Sequence, residues 1–159
     1  MSGRIVKSIS IASMLSLMVF VSCSKDDNNT TNDPIVTDPI QTQVENNVQS
    51  GTWKIVLFKD SGSDETNHFT GYNFTFGSTG ILTASNGTNT YTGSWSISDS
   101  NSSDDSQDDL DFNINFNLTN DFEDLNDDWD FISQTSTKME LIDISGGNGG
   151  TDNLIFEKN

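Results

Sequence analysis

Leu110-Asp111-Phe112-Asn113-Ile114-Asn115-Phe116-Asn117-Leu118 is the stretch that decides the fold. Its apolar and polar residues alternate without a break, so an extended chain puts every apolar side chain on one face and every polar one on the other. That period of two marks a strand buried on one side and wet on the other, as in an antiparallel sheet. Seven further segments read the same way: Trp53 to Lys59, Phe69 to Phe76, Ile81 to Asn86, Thr90 to Ser98, Trp129 to Thr135, Lys138 to Ile144 and Asn153 to Glu157. The joints carry turn residues, among them Ser78-Thr79-Gly80, Asn86-Gly87-Thr88-Asn89 and Ser145 to Gly150, which suit hairpins between neighbours in sequence. Phe122 to Leu125 predicts one helical turn, capped by Asn120 or Asp121. The fold class is all-β. Eight amphipathic strands close most economically into an antiparallel up-and-down barrel, which leaves no free edge; a sandwich is the other arrangement the pattern allows.

The first fifty residues of the 159 differ in kind. Arg4 and Lys7 precede an apolar run from Ile9 to Val21 broken only by serines. A membrane-spanning helix needs about 20 apolar residues, whereas the apolar region of a secretory signal needs about 7 to 15. The run therefore reads as an export signal. Val19-Phe20-Val21-Ser22-Cys23 then resembles a lipobox, with Phe20 where Leu is usual. That resemblance implies cleavage after residue 22 and lipid on Cys23, with the acyl chains anchoring the chain in a membrane. Cys23 is the single cysteine, so no disulfide partner competes for it. Ser24-Lys25-Asp26-Asp27 is similar to the export signal of surface lipoproteins in Bacteroidota, which implies the outer membrane and its cell-surface leaflet; the periplasmic face is the alternative.

From Ser24 to Ser50 the chain is rich in Asn, Thr, Asp, Gln and Val, holds both prolines and lacks aromatic residues. Such a composition buries too little to offset chain entropy, which predicts a disordered acidic tether over 23–50, spanning roughly 30 Å. The expected division is thus a signal peptide over 1–22, the lipidated tether over 23–50 and a barrel domain over 51–159. The formal charge is −17, and cleavage after residue 22 makes it −19, because Arg4 and Lys7 go and no acid does. A surface so acidic repels phosphate backbones, which excludes nucleic acid as a partner.

Gly51-Thr52-Trp53, opening the first strand, is similar to the Gly-x-Trp start of lipocalins, whose Trp packs across the closed end of the barrel. Gly93-Ser94-Trp95-Ser96-Ile97 and Leu154-Ile155-Phe156-Glu157-Lys158 resemble small lipocalin-like domains of lipid-anchored Bacteroidota proteins. The resemblance covers 51–158 and implies a binding or interaction module. The late Arg with which lipocalins close over that Trp has no counterpart here.

Catalytic chemistry is poorly provided for. His68 is the single histidine and reads as a solvated loop residue, no serine sits in a Gly-x-Ser-x-Gly elbow, and Cys23 is committed to lipid. The chain is expected not to be an enzyme and to need no cofactor. Calcium is the one metal its oxygen-rich loops suit, with Asp104, Asp105, Asp108 and Asp109 as one candidate cluster. Asp121, Glu123, Asp124, Asp127, Asp128 and Asp130 form another; neither has diagnostic spacing. Gly146 to Leu154 is read as a hairpin loop, because glycine-rich calcium repeats act by stacking and one copy is present. Trp53, Phe74, Phe76, Tyr91, Trp95, Phe112 and Phe116 face inward, and either line a cavity for a small hydrophobic ligand or fill the core. The partners to be expected are the membrane, through lipid, and such a ligand or another surface protein.

Overall fold

A computed structural model describes residues 39–99, 110–144 and 150–159. Helix α1 (Pro39–Gln49) leads into β1 (Trp53–Asp60) and its two-residue lip β2 (Ser63–Asp64). Then come β3 (Asn73–Phe76), β4 (Ile81–Ser85), β5 (Thr90–Asp99), β6 (Leu110–Asn115), β7 (Asp127–Gln134), β8 (Lys138–Ile144) and β9 (Thr151–Lys158). Short 3-10 turns occupy Thr66–Phe69 and Asp121–Leu125. β2 pairs with β1 alone; β1 pairs antiparallel with β3, each strand from β3 to β8 pairs antiparallel with the next, and β1 pairs with β9, so eight strands close into an up-and-down barrel. The closing ladder runs from Trp53 opposite Lys158 to Lys59 opposite Asn153.

Alternation decides which side chains enter. On β5, Trp95 and Ile97 are buried while Thr90, Thr92, Ser94, Ser96 and Ser98 are exposed. On β6, Leu110, Phe112 and Ile114 are buried. β1 and β7 each carry a bulge, at Val56 and Ile132, and the extra residue of each is thrown outward. Gly93 faces inward where a Cβ would stand 2.5 Å from the Asn115 carbonyl oxygen and 2.8 Å from Phe116 Cδ1. Its missing side chain is what lets Phe116 fill the core.

Several boundaries depart from those the pattern predicts. The largest is α1, within the stretch composition assigns to a disordered tether. Ile40, Val44 and Val48 recur every four residues, so one helix turn after another presents an apolar side chain to the same side. Val44 and Val48 are fully buried, and Ile40 packs against the same core. Pro39 begins the helix, where its missing N–H costs nothing. The helix caps the barrel end at which β1 begins and β9 finishes: Asn47 reaches Gln134 (3.4 Å), and Lys158 Nζ reaches the Asn47 carbonyl (3.4 Å). The folded domain accordingly starts at the helix, ahead of Gly51.

Two strands are also shorter than expected. Phe69 lies in the first 3-10 turn, and β6 stops at Asn115 instead of running to Leu118. Beyond Asn115 the Asn126 side chain replaces a strand partner, accepting from the Phe116 N–H (2.5 Å) and donating to the Phe116 carbonyl (3.0 Å). The second 3-10 turn, expected from Phe122 to Leu125, is present, with the Asn120 side chain accepting from the Phe122 N–H. It sits at the barrel end opposite α1 and buries Phe122 and Leu125.

Candidate functional site

The seven inward-facing aromatics all lie in or against the core. Trp53, Phe74, Phe76, Trp95, Phe112 and Phe116 are buried and Tyr91 is half-buried. Trp53 is wholly buried, its indole N–H donates to the Val48 carbonyl (2.8 Å), and the Lys158 ammonium lies 4.7 Å from its ring centroid. A cation from the last strand thus closes over the first Trp, and it is a lysine. A continuous run of rings crosses the barrel from Trp95 through Phe76, Phe156, Phe74, Phe122, Phe69 and Phe58 to Trp129, with neighbouring centroids 5.3–6.4 Å apart. Most of these pairs are edge-to-face, the arrangement the ring quadrupole favours. Phe122 is the hub, touching Phe69, Tyr72, Phe74, Tyr91 and Phe116. Sequence patterning misses Phe58, Phe69, Phe122, Trp129 and Phe156 as members of this set because four of them belong to bulged strands or 3-10 turns.

The acids regroup. Asp127 meets Asp143 and Asp152, with one carboxylate oxygen from each within 4.8 Å of the others; this is the one such cluster among the described residues. Register explains it: Asp143 pairs with Asp152 across β8 and β9, and Asp127 begins the adjacent β7. Burial is the main cause that lifts the Asp127 carboxyl to about 6, reinforced by Asp128 and Asp143. Asp124, also raised, feels burial first and then Asp60, Asp121 and Glu123. Asp111 is raised by burial and by Asp130, its cross-strand partner. Of the second sequence cluster, then, Asp127 alone joins the carboxylate group, while Asp128 and Asp130 point outward from β7. Asp152 also accepts from the Ser61 N–H (2.7 Å). With one oxygen from each, the three carboxylates supply three of the six to eight oxygens calcium takes. Asp104, Asp105, Asp108 and Asp109 lie outside the described residues, as do Cys23, Ser24, Lys25, Asp26 and Asp27.

His68 is less solvated than its loop position suggests. Its side chain is 34% exposed and stands between Glu65 (3.5 Å) and Asp121 (4.0 Å), linking the two 3-10 turns.

A groove of about 190 Å³ opens at the rim of the barrel end that α1 caps, between the helix, the β3–β4 turn and β5. Glu45 and Gln49 line it from the helix, Ser78 from the β3–β4 turn, and Trp95, Ser96 and Ile97 from β5. Gln41 Nε2 donates both to Glu45 Oε1 (3.1 Å) and to the Ile97 carbonyl (3.1 Å), bracing helix, carboxylate and strand together. The Trp95 indole N–H is spent on the Gly77 carbonyl (2.9 Å). A site that depends on α1 could not be read from a sequence in which that segment passes for tether.

No protein-family model matches the chain, and no curated protein does. Among solved structures, a duf4847 family protein from Bacteroides vulgatus ATCC 8482 is similar at 23% identity, over 73% of this chain and 97% of that one, with a TM-score of 0.48.

Proposed function

We propose that this chain is a lipid-anchored, non-enzymatic interaction module of lipocalin-like form, displayed on the outer membrane at the cell surface, which works through the outside of a filled barrel. The observation that carries the reading is the ring-to-ring packing of the interior: positions that would line a ligand cavity are occupied by buried aromatic side chains in mutual contact. Interiors packed in this way leave few voids larger than water. Cys23 in its lipobox-like context supplies the anchor, and two or more acyl chains hold a protein on a membrane where one does not.

Native mass spectrometry of the chain extracted from membranes in mild detergent tests the filled interior. The native and denatured masses should agree once the covalent lipid is counted. A small molecule retained in the native state and lost on denaturation would overturn the reading in favour of a ligand-carrying barrel. Protease added to intact cells should remove the domain, and Cys23→Ala should move the chain out of the membrane fraction.

A further inference from the structure

Deepening that outer-surface reading and resting on it, we infer that the groove between α1 and β5 is the contact point, and that it takes a cationic side chain, arginine above lysine, presented by a protein partner. The groove's volume of about 190 Å³ lies below the 300–1,000 Å³ of pockets for drug-sized molecules. It has room for the liquid volume of about six waters at ~30 Å³ each, which suits one long side chain. Trp95 and Ile97 give it an apolar floor, and Glu45, Gln49, Ser78 and Ser96 give it polar walls.

Glu45 sets the chemistry. Its carboxylate is half-buried and held by the neutral Gln41 amide. Among the described residues no cation pairs with it: Lys54 and Lys59 stand on β1 and Lys138 on β8, while the Lys158 ammonium, which does reach α1, is spent on the Asn47 carbonyl, the Ser50 hydroxyl and the Trp53 ring. A partly desolvated carboxylate beside an indole, with no cation of its own, is complementary to a cation brought from outside. A guanidinium satisfies more of the groove than an ammonium does. It can bond the carboxylate with two parallel N–H groups and spend its other donors on hydroxyl and amide oxygens. The net charge of −17 raises the local concentration of any such cation. A sugar could use the same hydroxyls but would leave the charge of Glu45 unmatched.

The test is a ¹H–¹⁵N titration of the full chain in detergent with N-acetyl-arginine amide, read at the three indole N–H signals. Trp53 and Trp129 are buried and bonded to the Val48 and Leu125 carbonyls, so they serve as internal references for the fold in every variant. We expect a saturable shift of the Trp95 signal alone, none with the uncharged isostere N-acetyl-citrulline amide, and binding weakened about tenfold or more in Glu45→Gln, as befits a lost charge-assisted bond. Asp60→Asn, at the end of β1 away from α1 and three strands from β5, should leave the titration unchanged. A silent Trp95, an equal response to citrulline, or unaltered affinity in Glu45→Gln would each overturn the inference; a stronger Trp95 response to N-acetylglucosamine would overturn it in favour of a glycan subsite. A failed titration beside a bare native mass would leave the outer-surface reading standing and move the contact elsewhere. A retained interior ligand would sink that reading and still leave this titration interpretable.

Discussion

Gly93 is where one atom decides the packing. A methyl there would meet both the Asn115 carbonyl and the Phe116 ring, and Phe116 is in turn held against the Phe122 hub. Gly93→Ala should destabilise the domain by about 1–3 kcal/mol, as overpacking does, whereas Thr92→Ala, one residue along and outward, should stay within about 0.5 kcal/mol. Thermal unfolding of the two variants checks this. At this scale the sequence is legible in part. The Gly-x-Trp start singles out Trp53, but what closes over it, the Val48 carbonyl and the Lys158 ammonium, comes from a helix that composition hides and from the last strand. The Asp127, Asp143 and Asp152 group is not legible at all, because it exists only once the β7, β8 and β9 registers are known.

Among the elements, strands announce themselves through alternation and α1 does not. The β5 and β6 patterns are regular enough that burial follows position by position. α1 is polar on most of its surface, and three aliphatic residues four apart are too sparse a signal to outweigh its Asn and Gln content when the core they pack against is unseen. Its contribution is nevertheless central to the barrel end it covers. A domain begun at residue 51, where the turn before Trp53 invites a cut, should unfold at a lower temperature than one begun at residue 36. Val48→Asp should cost about 2 kcal/mol or more in the longer form, since it puts a charge at a fully buried position. Equal melting temperatures for the two lengths would mean that the helix caps nothing of consequence.

Taken whole, the molecule is divided by charge. Its described lysines sit on β1, β8 and β9, while the outward positions of β5 are serine and threonine throughout. The end opposite α1 concentrates carboxylates, and this gives stability a definite pH dependence. Asp127 is raised to about 6 when folded, above the ~3.9 of an unfolded Asp, so the folded state holds a proton that the unfolded state releases between those values. Its contribution is present at low pH and is lost as pH rises through about 6. Discounted for partial solvent exposure, it is on the order of 1 kcal/mol, or roughly 4 °C in melting temperature. Glu140, lowered by its bond to Lys138 and then by Ser133, acts in the opposite sense below the carboxylate range. Melting temperature should therefore fall as pH rises from about 4 to about 6.5 and level off above, and Asp127→Asn should flatten that fall. A melting temperature that rises over the same interval would contradict the picture.

The closure of β1 on β9 makes the barrel a mechanical object with a weak direction. A chain held by its amino-terminal side is loaded first through α1, whose lateral braces are the Gln41 and Asn47 side chains and the Lys158 ammonium. Behind them, tension arrives at the Trp53 end of the β1–β9 ladder, where rungs open one at a time instead of sharing the load. Tension applied from that side would thus peel the helix before it tears the barrel. A partner seated against α1 and β5 together would add a further brace at the point where tension enters.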